Sequence, residues 1–405
     1  MDVESLIDLI EDKKTWDKYL SFKTEGIISE SDLKELEDFV KREGYKSVAE
    51  EIREGRFPKA RRKIISKMST RKKRTVYVYP REETMTLKLL THLMLRKYDH
   101  IFSDNLYSFR PRSGAKEAVS RLRNTSGIDR CFSYKADIRN YFNSVDIDRF
   151  LPILKKVLSD DMKLYGFCEM LLTEDQVYAG EKLISEKKGI MAGIPLSSFF
   201  ANLYLKQMDE HFEQQGITYA RYSDDIIVFA GTEEELREHI KYIKDELYRK
   251  GLTINCDKEE YTTPGSKWTF LGISYEGGIV DIAPASVKKI KGKMRRKARS
   301  LRRWAARNDV DTKNAAKAFI RIFNRKLLET SDDHDLTWSY WYFPVINTDK
   351  SLKEIDHYAQ ECIRFIVSGR HTKARFNVRY EDMKGLGYRC LVNEYHKFGK
   401  ENQAT

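Results

Sequence analysis

Arg221-Tyr222-Ser223-Asp224-Asp225-Ile226-Ile227-Val228-Phe229 sets two adjacent aspartates against a run of apolar, mostly β-branched residues. The run after Asp225 predicts a buried strand, and Gly216 and Thr218 ahead of Tyr219 predict a turn feeding a second one. The expected product is a hairpin with two carboxylates at its tip. Adjacent carboxylates at the mouth of an apolar hairpin repel each other and are both penalised by desolvation, so they need a cation to offset them. Mg²⁺ suits such hard oxygen donors. Taken alone, however, Ser-Asp-Asp is ordinary turn chemistry, and the tetrapeptide reads first as a polar β-turn.

A third carboxylate stands upstream, in Tyr134-Lys135-Ala136-Asp137-Ile138-Arg139-Asn140-Tyr141-Phe142, where a β-like segment ends in Asp137 and an aromatic pair follows. If its strand pairs with the hairpin, three carboxylates can hold two Mg²⁺ ions roughly 3.5–4 Å apart, a geometry that stabilises the attacking and leaving oxygens of phosphoryl transfer. The competing reading is that Asp137 only caps the next turn. Between these segments, residues 187–205 place Gly189, Gly193 and Pro195 before a helix-like apolar stretch that Ser197 or Ser198 would cap. Glycines at a helix amino terminus let a nucleotide or template backbone approach, and the helix end favours phosphate. Loop-to-helix punctuation explains them as well.

Composition narrows the class. A hydrophobic content of 41% with 12% aromatics argues against disorder, and 405 residues suffice for two or three domains. Residues 59–74 carry nine basic and no acidic side chains, and residues 288–307 eleven and none. Together they hold twenty positive charges, so the remainder of a chain whose net charge is +12 comes to −8. A mildly acidic body with two dense cationic stretches is the footprint of a polyanion binder, although a solvated helix face accounts for either stretch alone. Cys131, Cys168, Cys256, Cys362 and Cys390 show no paired spacing, which removes a disulfide framework and a zinc site. The first residues lack a signal peptide's basic and apolar regions, and the most apolar stretch, 189–205, is broken by Pro195 and short for a membrane span. A soluble, cytoplasmic protein with no membrane partner is expected.

Along the chain, apolar spacing predicts helices over 5–20 and 31–53, the second capped by Ser31-Asp32, and again over 82–98, 115–123, 233–251 and 314–328. Strands are expected at 75–79, at 251–258 with Lys258 upon it, at 268–273, and at 279–282 after a Gly277-Gly278 turn. Pro111 and Gly114 punctuate a rigid loop at 107–114.

In this order the segments resemble a prokaryotic reverse transcriptase of the group II intron and retron kind, over residues 59–405. Asp137 to Phe142 is similar to the family's first palm aspartate motif, 193–205 to its template and nucleotide loop, and Tyr222-Ser223-Asp224-Asp225 to its Tyr-x-Asp-Asp hairpin. Lys258 sits where the family's later palm lysine lies, and Phe270-Leu271-Gly272 resembles the primer grip. The resemblance implies an α+β, right-hand polymerase with an antiparallel palm sheet: a helical lead-in over 1–58, fingers and palm over 59–283, and a helical thumb with a carboxy-terminal extension over 284–405. It implies metal binding at Asp137, Ile138, Asp224 and Asp225, with Lys258 a general acid or charge screen. It implies nucleotide binding at Lys72, Arg74, Phe142, Gly193 and Pro195, and nucleic-acid contacts at Arg110, Arg112, Arg295, Arg296, Arg302 and Arg303. The implied cofactors are two Mg²⁺ ions, with Mn²⁺ as a substitute, and the substrates are deoxynucleoside triphosphates.

One departure refines the resemblance. Group II intron and retron enzymes carry Pro-Gln before the loop glycine, where this chain has Met191-Ala192-Gly193. That form resembles stand-alone bacterial reverse transcriptases of antiphage defence and abortive infection. No nuclease-like cysteine pairs follow the thumb-like region. The expected activity is RNA-directed DNA synthesis on a structured non-coding RNA, giving an RNA/DNA hybrid. The alternatives are untemplated or protein-primed DNA synthesis, and an idle RNA-binding scaffold.

Overall fold

The computed structural model describes residues 4–26, 28–66, 73–329, 338–369 and 378–401. The chain divides into two compact units, Met1–Gly265 and Ser266–Thr405.

The first unit opens with three helices, α1 (Lys13–Glu25), α2 (Glu30–Lys41) and α3 (Tyr45–Arg53). Asp12 caps α1, and Ser29, rather than Ser31-Asp32, caps α2 by accepting from the Asp32 N–H. The single helix expected over 31–53 is broken at Glu43, whose φ of 56° is incompatible with helix, and at Gly44. Trp16 stacks on Tyr45 at 5.4 Å and meets Phe39 edge-on at 5.3 Å, so these helices share an aromatic core.

There follow β1 (Arg61–Ser66), β2 (Lys73–Val78), α4 (Arg81–Lys97), α5 (Ala115–Asn124), β3 (Phe132–Asp137), α6 (Tyr141–Ser144), α7 (Ile147–Val157) and α8 (Met162–Thr173). Then come β4 (Gln176–Ala179), β5 (Lys182–Ser185), α9 (Ser197–Tyr204), α10 (Lys206–Gln214), β6 (Tyr219–Tyr222), β7 (Asp225–Ala230), α11 (Glu233–Arg249) and β8 (Glu260–Thr262). Two four-stranded sheets result, ordered β2-β1-β4-β5 and β6-β7-β3-β8. The second is antiparallel throughout and carries the acidic residues. Ile226, Ile227 and Val228 are fully buried at its centre. Successive strand residues point to opposite faces, so both faces of β7 are covered, as its unbroken apolar run requires. Phe150 of α7 meets Phe200 of α9 edge-on at 5.5 Å.

The strand expected over 251–258 does not form. Ile254 makes one isolated bridge to Ile138, and Cys256–Lys258 is a single 3-10 turn. The Asn255 N–H donates to the Asp137 carbonyl and the Lys258 N–H donates back to that of Asn255, which curls the chain before it can extend.

The second unit begins with β9 (Trp268–Phe270), β10 (Ile273–Glu276) and β11 (Ile279–Ile282), an antiparallel meander. Leu271 and Gly272, at φ 49° and 83°, turn the chain inside what the sequence predicts as one strand over 268–273. Gly277 and Gly278 form the expected second turn, both at positive φ. Helices α12 (Pro284–Arg307), α13 (Thr312–Leu327), α14 (Trp338–Tyr342), α15 (Lys350–Ser368), α16 (Tyr380–Gly385) and α17 (Leu391–Glu401) complete it. Proline opens α12 where its missing N–H costs nothing, and Val287, Met294, Ala298, Leu301 and Ala305 make its buried stripe. The fold is α+β. Among the described residues, no helix is long and apolar enough to cross a membrane.

Candidate active site

The β6–β7 hairpin closes with Ser223 at φ 60° and Asp224 at negative φ, the pattern of a type II′ turn, which favours glycine at the first central position. Here serine occupies it, and the cost is met from below. Arg221, fully buried, donates from Nε to Asp209 Oδ1 at 2.7 Å and from a terminal nitrogen to Asp209 Oδ2 at 2.5 Å. Its remaining donors reach the Asn202 carbonyl at 3.0 Å and the Ser223 carbonyl at 3.3 Å. Tyr219 adds a hydrogen bond from its hydroxyl to Asp209 at 2.9 Å. Burial pushes the Asp209 carboxyl above its usual range against the pull of the guanidinium. Removing either partner would strand a buried charge, so the turn rests on a support that resists rearrangement.

Asp137 lies opposite Asp225 in the β3–β7 register, and the Ile138 N–H donates to the Asp224 carbonyl at 3.0 Å. Strand pairing therefore gathers three carboxylates at one end of the sheet, which the polar-turn and cap readings do not require. Burial raises the Asp224 carboxyl above its usual range, with Asp137 adding repulsion, while Lys258 and Arg74 pull it down. Asp225 is pushed up to about 6 by burial and then by Asp224 and Asp137. Lys258 offsets part of this repulsion by donating from Nζ to Asp137 Oδ2 at 2.6 Å, and Asn255 donates to the other oxygen at 3.3 Å.

Among the described residues no three Asp, Glu, His or Cys side chains form a ready-made cation cage. The donor set is nonetheless that of an open Mg²⁺ site, because this ion commonly takes one or two carboxylates and completes its shell with water and substrate phosphates. The Asp224 and Asp225 carboxyls, raised by burial and then by their acidic neighbours, fit a divalent cation, which would relieve them.

The family profile described as reverse transcriptase (RNA-dependent DNA polymerase) matches residues 65–275, about half of the chain, and spans this whole cluster. The chain belongs to that family. No curated protein matches it. Among solved structures, it is similar to apo telomerase from Candida tropicalis, at 12% identity over 82% of this chain and 69% of that one, with a TM-score of 0.46. It is similar also to telomerase from Candida albicans in complex with a TWJ fragment of telomeric RNA, at 13% identity over 82% and 63%, with a TM-score of 0.44. A C-terminally truncated Candida tropicalis telomerase gives 14% identity over 55% of each chain, with a TM-score of 0.44. This chain thus spans between 55% and 69% of the length of these three chains.

Elsewhere in the first unit, the remaining expected site residues fall into two groups. Phe142 is half-buried beside Tyr141, with ring centroids 5.6 Å apart, and its carbonyl accepts from the Ile190 N–H. Gly193, at φ 107°, approaches β2 so closely that a Cβ would lie 2.9 Å from the Tyr77 carbonyl. Pro195 precedes α9, but neither serine caps that helix; Ser197 instead donates to the Ile190 and Met191 carbonyls, tying the loop to its helix. Arg74 is exposed and Lys72 lies outside the described residues.

Arg110 corrects an expectation. Its guanidinium is buried and donates to Asp99 and to the Ser103 and Leu106 carbonyls, so it braces the 99–110 segment rather than facing a nucleic acid. Arg112 is exposed. Phe270, Leu271, Gly272 and the α12 arginines belong to the second unit. There Arg295, Arg296 and Arg303 are exposed, whereas Arg302 donates to the Phe365 and Ile366 carbonyls at the end of α15 and is a structural cap. Sequence reasoning missed Asp209, Arg221 and Asn255. Its available signal was a charged residue in phase with buried ones: Arg221 alternates with Tyr219, and Asp209 follows Met208.

Proposed function

We propose that this reverse transcriptase is an RNA-directed DNA polymerase that copies a structured non-coding RNA in bacterial antiphage defence, acting in the cytoplasm. The observation that carries the polymerase reading is the register that sets Asp137 against Asp225 beside the braced Asp224 turn. Asp137, Asp224 and Asp225, with the Ile138 backbone, would hold two Mg²⁺ ions, which when bound supply charge neutralisation for the attacking and leaving oxygens. Arg74 acts electrostatically on Asp224 and would hold the triphosphate. Lys258, which donates from Nζ to Asp137, would turn toward the leaving pyrophosphate. Phe142 would lie beneath the sugar, Gly193 and Pro195 would admit the nucleotide, and Phe270-Leu271-Gly272 would grip the primer. The lead-in, fingers with palm, and thumb would follow the boundaries 58/59 and 283/284.

RNA and the hybrid product fit the two cationic stretches, whose phosphate contacts carry no sequence information. A second reading, untemplated or protein-primed DNA synthesis, is favoured by one feature. Met191 is fully buried and Ala192 nearly so, so the loop offers no side-chain amide to a nucleotide or its template partner. The defence setting is supported by that same loop form.

The direct test is Asp224→Asn in primer extension on RNA with Mg²⁺. Activity should fall below a few per cent while the melting temperature holds or rises slightly, because one of three repelling carboxylates is gone. A variant that folds and keeps substantial activity would contradict the assignment.

A further inference from the structure

Seven non-glycine residues among those described hold a positive φ: Glu43, Phe109, Asn140, Met191, Ser223, Leu271 and Asp309. Such a conformation is strained for a residue with a Cβ, tolerated best by Asn and Asp, and a true outlier for a bulky ring. Asn140, Met191, Ser223 and Leu271 lie within motifs already given a role, and strain of this kind gathers at functional sites. Phe109, at φ 56°, has no role so far.

The backbone on both sides of Phe109 is bolted down. The Tyr107 N–H donates to the Arg221 carbonyl at 3.0 Å and the Arg221 N–H to that of Asn105 at 2.9 Å, so residues 105–107 line the edge of β6. Ser108 and Asn202 exchange two hydrogen bonds, at 2.9 and 2.8 Å, and the buried Arg110 guanidinium clamps the far side. Between these anchors the Phe109 ring is 40% exposed, and its centroid lies 6.3 Å from that of Tyr222, the residue that leads into the Ser223-Asp224 turn. An aromatic side chain would ordinarily turn inward; here the fold holds it partly exposed in a strained conformation, near the ring of Tyr222, two residues before Asp224. Arg112, which is exposed, follows three residues on.

We propose that Phe109, backed by Tyr222, is a stacking platform for a nucleobase of the strand held at the polymerase site, with Arg112 meeting the adjoining phosphate. A nucleobase is the fitting occupant because its π-face suits an exposed ring of any orientation, and because the strand end must come to Asp224 and Asp225. The platform therefore depends on the polymerase reading given above.

The test uses the full chain and a primer-template duplex carrying 2-aminopurine either at the primer terminus or at the facing template base. Stacking on an aromatic ring is substantial, so Phe109→Ala should weaken duplex binding by about tenfold and change the fluorescence at one of the two positions. Phe109→Trp should keep both signals. A change at the primer position assigns the platform to the primer, and one at the template position to the template. Phe109→Gly should lose binding yet keep or raise the melting temperature, since glycine adopts positive φ freely. The proposal is overturned if the Ala variant binds as the parent does, if neither position responds, or if the Gly variant loses binding only in step with its stability. Loss of DNA synthesis in Asp224→Asn alongside unaltered binding in Phe109→Ala would remove the platform alone. Retained synthesis in Asp224→Asn would remove the polymerase reading beneath it.

Discussion

Lys188 is 3% exposed just before the Gly189 loop, and its ammonium has no hydrogen-bond partner among the described residues. The acids facing it, Glu174 and Glu186, are already engaged by Lys59 at 2.6 Å and Arg62 at 2.8 Å. Burial pulls the Lys188 amine down to about 8. Between that value and the ordinary lysine range the folded state binds fewer protons than the unfolded chain, so stability rises with pH across the window. Lys188→Met should accordingly stabilise the protein by about 1–3 kcal/mol near pH 7, a gain that shrinks as pH climbs from about 8 and is absent above the ordinary lysine range. Urea titrations at pH 7 and 10 check this, and a gain independent of pH would show that shape, not charge, matters. Phe142 gives a second expectation at this scale. Phe142→Val should admit ribonucleotides while keeping substantial deoxynucleotide incorporation if the ring bars a 2′-hydroxyl. If the ring is only packing, stability falls by about 1–3 kcal/mol and sugar preference is unchanged; incorporation of both sugars by folded variant separates the two. The gathering of Asp137, Asp224 and Asp225 at one sheet end was legible because carboxylates at strand ends are costly to bring together without a purpose. Asp209 and Arg221 were not, because a buried ion pair looks in sequence like two surface residues.

The helix α12 carries eleven cations on twenty-four residues, and they are not equivalent. Arg302 is committed to the α15 carbonyls and Lys291 to Glu354 at 2.9 Å, whereas Arg295, Arg296 and Arg303 face outward. Neutralising these three together should weaken binding to RNA or hybrid duplex and lower the slope of log affinity against log salt by up to about 3, since each lost phosphate contact reduces counterion release. A salt titration of wild type and variant measures it, and an unchanged slope would leave this face merely solvated. Arg302 stays out of the variant because its loss would report packing. At this scale helix periodicity located α4, α5, α11 and α13 within two residues, and left α7, α8 and α15 unread. Pattern reading failed where positive φ breaks an element, at Glu43 and at Leu271-Gly272, and where local hydrogen bonds curl the chain, over 251–258. The β4–β5 hairpin went unread, because two four-residue strands are too short to show alternation.

For the molecule as a whole, motif order pointed to a reverse transcriptase domain before any geometry, and the family match agrees with it. Template identity lies beyond both, because cationic phosphate contacts recognise any backbone. That choice must come from RNA shape or from a primer, and neither leaves a pattern in the protein sequence. Sequencing the DNA that copurifies from cells with wild type and with Asp224→Asn therefore tests the central claim most directly. RNA-templated synthesis predicts DNA complementary to one bound RNA with the wild type and none with the variant. Homopolymeric or random DNA with the wild type, or equal DNA with the variant, would contradict it.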